Sequence, residues 1–521
     1  MNLLLRGATV VDGTGAPART GDVVVVDGRI SDGPPPSDAE VVDLDGLVLA
    51  PGFIDPHTHY DAQVFWDPSV TPSSWHGVTT VVMGNCGFGI APVRPEGRDT
   101  ILRVLENVEG MPYDALAAGI PWSFESYPEY LDALDRLPLR INVASLLGHT
   151  PLRYYVLGDE ATERAATAEE VARMRVLADE AVAAGAIGFS TSRSPSHVGA
   201  FGAPVPSRAA DLDEIYELAR AGGTFEATWG PDFHVDELNA LAAETGRPVT
   251  WAAVLAVARQ PGAAAALAAR TGPGVFPQIA CKAIVVEMTL AEPFQFANVA
   301  AFGEILALPA AERAARYADP AWVERAETGL AEVWGDPLGG ADVVDGPSLR
   351  SLGPSPLRSA IALGLETRLR IPMINDVEDE IDGLLRDRRM LLGLSDAGAH
   401  TSQLCDADYS THLLAHWCRE RGTLSIEDAV WRLTGQPADV YGFRDRGRIA
   451  PGFVADLVAF DPATVGPGPL ERRADFPAGA DRLVVRANGI EHVWVGGVAI
   501  DHTGEPGSGP APGRLLRGGT A

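Results

Sequence analysis

Residues 51–60 read Pro-Gly-Phe-Ile-Asp-Pro-His-Thr-His-Tyr, and this run decides the fold. An apolar, β-type stretch from Val48 to Ile54 leads into Asp55 and then presents His57 and His59 one residue apart. On an extended backbone successive side chains point to opposite faces, so residues i and i+2 share one. Both imidazoles can therefore reach a single point, and neutral imidazole nitrogens on a metal ion are the use that geometry suits. The spacing alone also arises by accident on surfaces. Its position, at the end of a buried-type strand and after a Pro-Gly pair, favours a metal site over a structural pair.

Outward from this run, apolar strand-like segments alternate with Ala-rich helical ones. The strands expected are 53–56, 79–84, 140–147, 186–191, 223–228, 248–254, 275–280 and 390–395. Helices are expected over 168–184, 212–221, 235–245, 261–269, 407–420 and 426–434. Strand–helix alternation implies a parallel sheet, and eight such strands fit a closed (β/α)8 barrel of the TIM type. Smaller β-structure flanks it at both termini, with a hairpin around Asp27-Gly28 and a turn at Gly496-Gly497. The expected organisation is thus β-structure over 1–50 and 441–502 and a barrel over 51–440. The barrel carries an insertion at about 290–388, a candidate lid. A Gly/Pro-rich tail, 503–521, is expected to be disordered.

At 521 residues, one large domain plus a smaller one is the natural expectation. The 46% hydrophobic content suits a globular enzyme with an ample core. A net charge of −29 argues against nucleic acid or an anionic membrane as partner. No run approaches the roughly 18 apolar residues of a membrane span. The opening Met1 to Arg6 lacks a signal-type pattern, so a cytoplasmic location is expected. The four cysteines, Cys86, Cys281, Cys405 and Cys418, are too scattered for a disulfide framework.

Active sites of barrel enzymes lie at the C-terminal ends of the strands. Asp396, in Ser395-Asp-Ala-Gly-Ala-His400, follows the last strand and so shares the rim with His57 and His59. A carboxylate there can accept a proton from a water whose pKa a metal has lowered. The plainer reading is a turn or helix cap. Cys86, in Gly84-Asn-Cys-Gly-Phe88, is either a soft metal ligand or a small core filler. His149 ends the third strand and Glu226 the fifth; each is a metal ligand, a substrate contact or an ordinary hydrogen-bonded group. His197 and His400 are substrate-contact candidates. Arg193, with Arg153 and Arg208, could pair with a substrate carboxylate. Lys282, the only lysine, would have to be carbamylated to bridge metals, and it follows the seventh strand rather than the fourth. No phosphate-binding glycine loop, Cys-x-x-Cys knuckle or Gly-x-Ser-x-Gly elbow occurs, which disfavours nucleotide and serine-hydrolase chemistry.

These residues carry a resemblance to the amidohydrolase superfamily, within it to the N-acyl-D-amino-acid deacylase (D-aminoacylase) group. The similar stretches are Pro51 to His59, His76-Gly-Val-Thr-Thr80 leading to Gly84-Asn-Cys-Gly-Phe88, Ser395 to His400, and Arg446-Gly-Arg-Ile-Ala-Pro-Gly-Phe-Val-Ala-Asp456. The opening Val10-Val-Asp-Gly-Thr-Gly15 is similar too. The resemblance implies a barrel with a composite β-sandwich from both termini, amide hydrolysis, and a divalent metal, usually zinc. It maps the metal roles onto His57, His59, Cys86 and Asp396. The chain also departs from the pattern. Family members carry histidines at the ends of strands five and six, where this chain reads Phe225-Glu-Ala-Thr-Trp229 and Val249-Thr-Trp-Ala-Ala253. The expectation is therefore one ion rather than two, with Glu226 substituting at one place and Trp251 unable to ligate. The leading function is hydrolysis of a small-molecule amide, with Asp396 as base and then acid. The alternatives are a cyclic-amide hydrolase or other lytic reaction on the same barrel, and a non-catalytic barrel that binds a small ligand. A homodimer is compatible with the Ala-rich exterior.

Overall fold

The computed structural model describes residues 1–306 and 308–518. Eight parallel strand positions alternate with helices. They are β1 (Phe53–Asp55), β2 (Val78–Met83), β3 (Asn142–Ser145 and Leu147–Gly148), β4 (Gly188–Ser192), β5 (Thr224–Thr228), β6 (Val249–Ala252), β7 (Val275–Ile279) and β8 (Leu391–Leu392). One parallel ladder joins β1, β2 and the first part of β3. A second runs from the rest of β3 through β4, β5, β6 and β7 to β8. The ends of β1 and β8 meet at the rim, where Thr58 bridges Ala397 and the His59 N–H donates to Ala397 O at 2.7 Å.

Alternation along these strands sorts side chains into two layers. Ser190, Glu226 and Thr250 are in register and face inward, whereas Phe189, Phe225 and Val249 pack in the cluster that includes Leu238, Leu241, Ala264 and Ala268 of the surrounding helices. Beneath the site the interior is filled by Ile54, Val82, Ala144, Leu146 and Leu391, plugged by Val440 and Tyr441 of the helix Gly435–Tyr441. This apolar floor separates the polar groups near the strand C-termini from the buried Thr79, Asn142 and Thr224 at the opposite ends.

The two ends of the chain share one sheet. Leu3–Val10 pairs with Arg19–Val26, and Val48–Pro51 pairs antiparallel with Leu457–Phe460. Leu3, Leu5, Val23, Val25, Leu457 and Trp494 form its core. Between β7 and β8 a second apolar cluster, from Val286 to Met373, packs around Trp322 and Phe302 and takes in Leu404 from the loop after β8. The helix Glu378–Arg386, which sequence reading placed within the insertion, instead buries Ile381, Leu384 and Leu385 in the main cluster.

The C-terminal segment, expected to be disordered, is laid against the parallel strands as far as residue 518; residues 519–521 lie outside the described residues. The Arg140 guanidinium donates to the carbonyls of Gly504, Glu505 and Ser508. Leu516 N–H bonds to Val143 O, and Leu515 and Leu516 are buried. Two buried leucines and three carbonyl bonds to the Arg140 guanidinium outweigh the glycine and proline content. Among the described residues no helix is long and apolar enough to cross a membrane.

Candidate functional site

The first and last strands are tied together just below the rim. Ser395 Oγ lies 2.7 Å from Asp55 Oδ2, and Asp55 Oδ1 accepts the His57 N–H at 3.3 Å. Burial pushes the Asp55 carboxyl up to about 7, against the pull of these two donors. Thr58 turns away and donates to Val82 O, which leaves His57 and His59 on the same side, as the two-residue period requires.

Four donor groups converge above this tie. His57 Nε2 is 3.3 Å from Cys86 Sγ and 3.2 Å from Asp396 Oδ1. His59 Nε2 is 3.8 Å from the same Asp396 oxygen. The donor atoms of His57, His59 and Cys86 all lie within 4.8 Å of one another, and all three residues are buried. A tetrahedral ion with bonds of about 2.0–2.3 Å separates its ligand atoms by roughly 3.3–3.8 Å. A thiol and a carboxylate crowding one imidazole nitrogen therefore fit a divalent ion better than a hydrogen-bonded triad, because a triad places its carboxylate on the other ring nitrogen.

The backbone that delivers these groups is unusual. Cys86 sits at φ 56 between Gly84 and Gly87, and a Cβ on Gly84 would lie 2.2 Å from Leu146 O. Leu394, Asp396 and His400 also adopt positive φ, at 60, 47 and 50 degrees. Non-glycine residues in this region are strained, and such strain clusters at functional sites.

Glu226 reaches the cluster from β5. Its Oε2 accepts the Cys86 N–H at 2.7 Å, while its Oε1 is buried with no hydrogen-bond partner. Burial pushes this carboxyl up to about 8 and also raises the Cys86 thiol. An orphaned buried carboxylate oxygen on the residue that accepts the Cys86 N–H is what a cation would satisfy.

The two imidazoles differ in character. Burial holds His57 down to about 4, so it is neutral, and its Nδ1 donates to Gln278 Oε1 at 2.5 Å, which turns the Nε2 lone pair toward the cluster. His59 is raised to about 9: burial lowers it, but Glu109, Asp396 and Asp61 outweigh that. Asp396 lies far below the usual carboxylate range; burial raises it, but His59, His57 and His400 prevail.

The structure thus brings together His57, His59, Cys86, Asp396 and Glu226. His197 stands nearby, its ring 5.2 Å from Phe88 and its Nδ1 2.6 Å from Ser192 Oγ; burial, with His59 and His400, holds it down to about 3. His400 is anchored through its backbone N–H to Glu109 O. His149 is committed elsewhere: its two ring nitrogens meet Thr191 Oγ1 and Glu214 Oε1, each at 2.8 Å, and Arg153 binds the same carboxylate. Arg193 is likewise spent on Asp232 and on the carbonyls of Ser207, Arg208 and Ala210, which leaves it poorly placed for a substrate carboxylate. Lys282 pairs with Asp406 at 2.9 Å and Asp408 at 2.7 Å, away from any bridging position. Trp251 is in register with Ala227 and packs in the cluster of Val249 and the surrounding helices, so Thr250, not Trp251, is the inward residue of β6. Sequence reading missed Gln278, which strand alternation in Val275–Ile279 could have exposed, and Glu109, which ends the unforeseen helix Arg98–Glu109.

Comparison with known proteins agrees with this geometry. Residues 40–276 and 340–500 match the profile described as "Amidohydrolase family". A D-aminoacylase of Alcaligenes xylosoxydans xylosoxydans is 33% identical over 96% of this chain and 94% of its own length. An N-acyl-D-aspartate deacylase of the same organism is 30% identical over 100% and 96%. The crystal structure of N-acyl-D-glutamate deacylase from Bordetella bronchiseptica, complexed with zinc and a phosphonate inhibitor mimicking the tetrahedral intermediate, superposes with a TM-score of 0.70. It is 25% identical and covers 99% of both chains.

Proposed function

The chain belongs to the amidohydrolase family, and on that premise we propose that it is a metal-dependent deacylase that hydrolyses the amide bond of small N-acyl-D-amino acids. The observation that carries this reading is the approach of Cys86 Sγ and Asp396 Oδ1 to His57 Nε2, at 3.3 and 3.2 Å. We read the eight strands as a closed (β/α)8 barrel over 51–440, with a β-sandwich built from 1–50 and 441–502.

In this reading His57, His59 and Cys86 hold one zinc ion with Asp396, and Glu226 Oε1 occupies the place of a missing family histidine. When bound, the ion supplies Lewis-acid polarisation of the amide carbonyl and lowers the pKa of water at the site. Asp396 takes the proton of the attacking water and returns it to the departing nitrogen. His57 and His59 are buried, while the Asp396 side chain stays partly exposed and open to substrate and water. His197 and His400, at the edge of the cluster, contact the substrate.

The reading is tested by profiling zinc-loaded protein against N-acetyl-D-amino acids, their L-enantiomers and cyclic imides, with a His57→Ala/His59→Ala control. The expected result is turnover of linear D-substrates that the control loses. Preferential turnover of the cyclic compounds, or none of any class, would overturn it.

A further inference from the structure

Glu109 is a buried carboxylate placed where fold stability alone argues against one. It is 3% exposed and closes the helix Arg98–Glu109, the end at which the helix dipole repels negative charge. Asp61 and Asp396 add further repulsion. Among the described residues, the one basic group in ion-pair reach of its side chain is His59, whose Nδ1 lies 3.6 Å from Glu109 Oε1.

The position is nonetheless fixed from several directions. Gly110, at φ 58, ends the helix, and its N–H returns to Leu105 O. The His400 N–H donates to Glu109 O, and a Cβ on Gly110 would lie 3.2 Å from His400 Nδ1. The loop after β8 therefore locks the helix end against the first strand's second histidine.

We propose that Glu109 is a positioning residue for His59: its carboxylate, 3.6 Å from Nδ1, pairs with the imidazole across that gap and turns Nε2 toward Asp396 and the ion. This rests on the reading that His57 and His59 hold that ion. Gln278 does the same for His57 at 2.5 Å, but with a neutral oxygen. The two ligands thus face unlike partners, one a neutral amide oxygen and the other a carboxylate. Partners of metal-bound histidines contribute about 10–100-fold to affinity.

The test is zinc affinity, by competition with a chromophoric chelator, together with melting of the metal-free and zinc-loaded protein, for wild type, Glu109→Gln and His57→Ala/His59→Ala. Glu109→Gln keeps the shape and removes the charge. The expected result is zinc binding weakened about 10–100-fold, with metal-free protein melting no lower than wild type and a smaller rise on adding zinc. Wild-type affinity in Glu109→Gln would overturn the proposal. So would a fall in melting temperature as large without zinc as with it, since that marks a purely structural role. Wild type that binds no zinc would overturn instead the metal-site reading beneath it, as would unimpaired binding by the double-alanine variant.

Discussion

Asp396 carries the heaviest demand placed on any one side chain. It is held at φ 47 so that a single oxygen addresses both imidazoles, at 3.2 and 3.8 Å. Asp396→Asn keeps the size and removes the proton acceptor, so kcat should fall by about 10²–10⁴ in steady-state assays of zinc-loaded protein. A kcat within tenfold of wild type would assign the proton transfer elsewhere. Much of this residue-scale arrangement was legible in the sequence. The i, i+2 period put His57 and His59 on one face, and the strand-end rule put Asp396 and Glu226 on the same rim. It was silent on Gln278 and Glu109 because their roles depend on what they touch. Nothing in the sequence around His149 or Arg193 revealed that Glu214 and Asp232 would claim them.

At the scale of elements, β6 shows how one residue of register changes a functional reading. Alternation sends Trp251 to the helix side and Thr250 inward, where its Oγ1 accepts from Gln278 Nε2 at 3.3 Å. Trp251→Ala should therefore cost about 3–5 kcal/mol of stability and leave zinc stoichiometry unchanged, as read by denaturant unfolding and metal analysis. Loss of metal without loss of stability would put Trp251 in the site after all. The helical segment after β8 makes a separate prediction about pH. Burial holds His412 down to about 4, against an ordinary value of 6.5. The unfolded chain takes up this proton below pH 6.5 and the folded chain only near pH 4. Stability from this group is thus full at neutral pH and falls as pH drops from 6.5 to 4, by at most about 1.4 kcal/mol per unit. His412→Gln should flatten that part of the stability profile; an unchanged slope would contradict it. The Ala-rich helices Ala168–Ala184 and Val235–Thr245 were legible to the residue. The helix His149–Leu157 was not, with Pro151 in its first turn, and Arg98–Glu109 was overlooked although Ile101, Leu102, Leu105 and Val108 keep helical spacing.

Over the whole molecule, composition and alternation foretold an acidic α/β enzyme with β-structure at both ends, but not where its C-terminal segment runs. Only packing shows that residues 503–518 answer the buried Arg140 guanidinium and cover the third strand with Leu515 and Leu516. A variant ending at residue 503 should melt several degrees lower, since it strands a buried cation and exposes two leucine contacts; an unchanged melting temperature would make the segment dispensable. For the whole protein we propose that one ion, held by His57, His59, Cys86, Asp396 and Glu226, supports deacylation. Titrating metal-free protein with zinc, while following bound metal and turnover of an N-acetyl-D-amino acid in the same samples, tests it most directly. Activity is expected to rise from zero and saturate at one equivalent, and His57→Ala/His59→Ala to gain neither metal nor activity. Full turnover by the metal-free protein, or activity that appears only as a second equivalent binds, would contradict it.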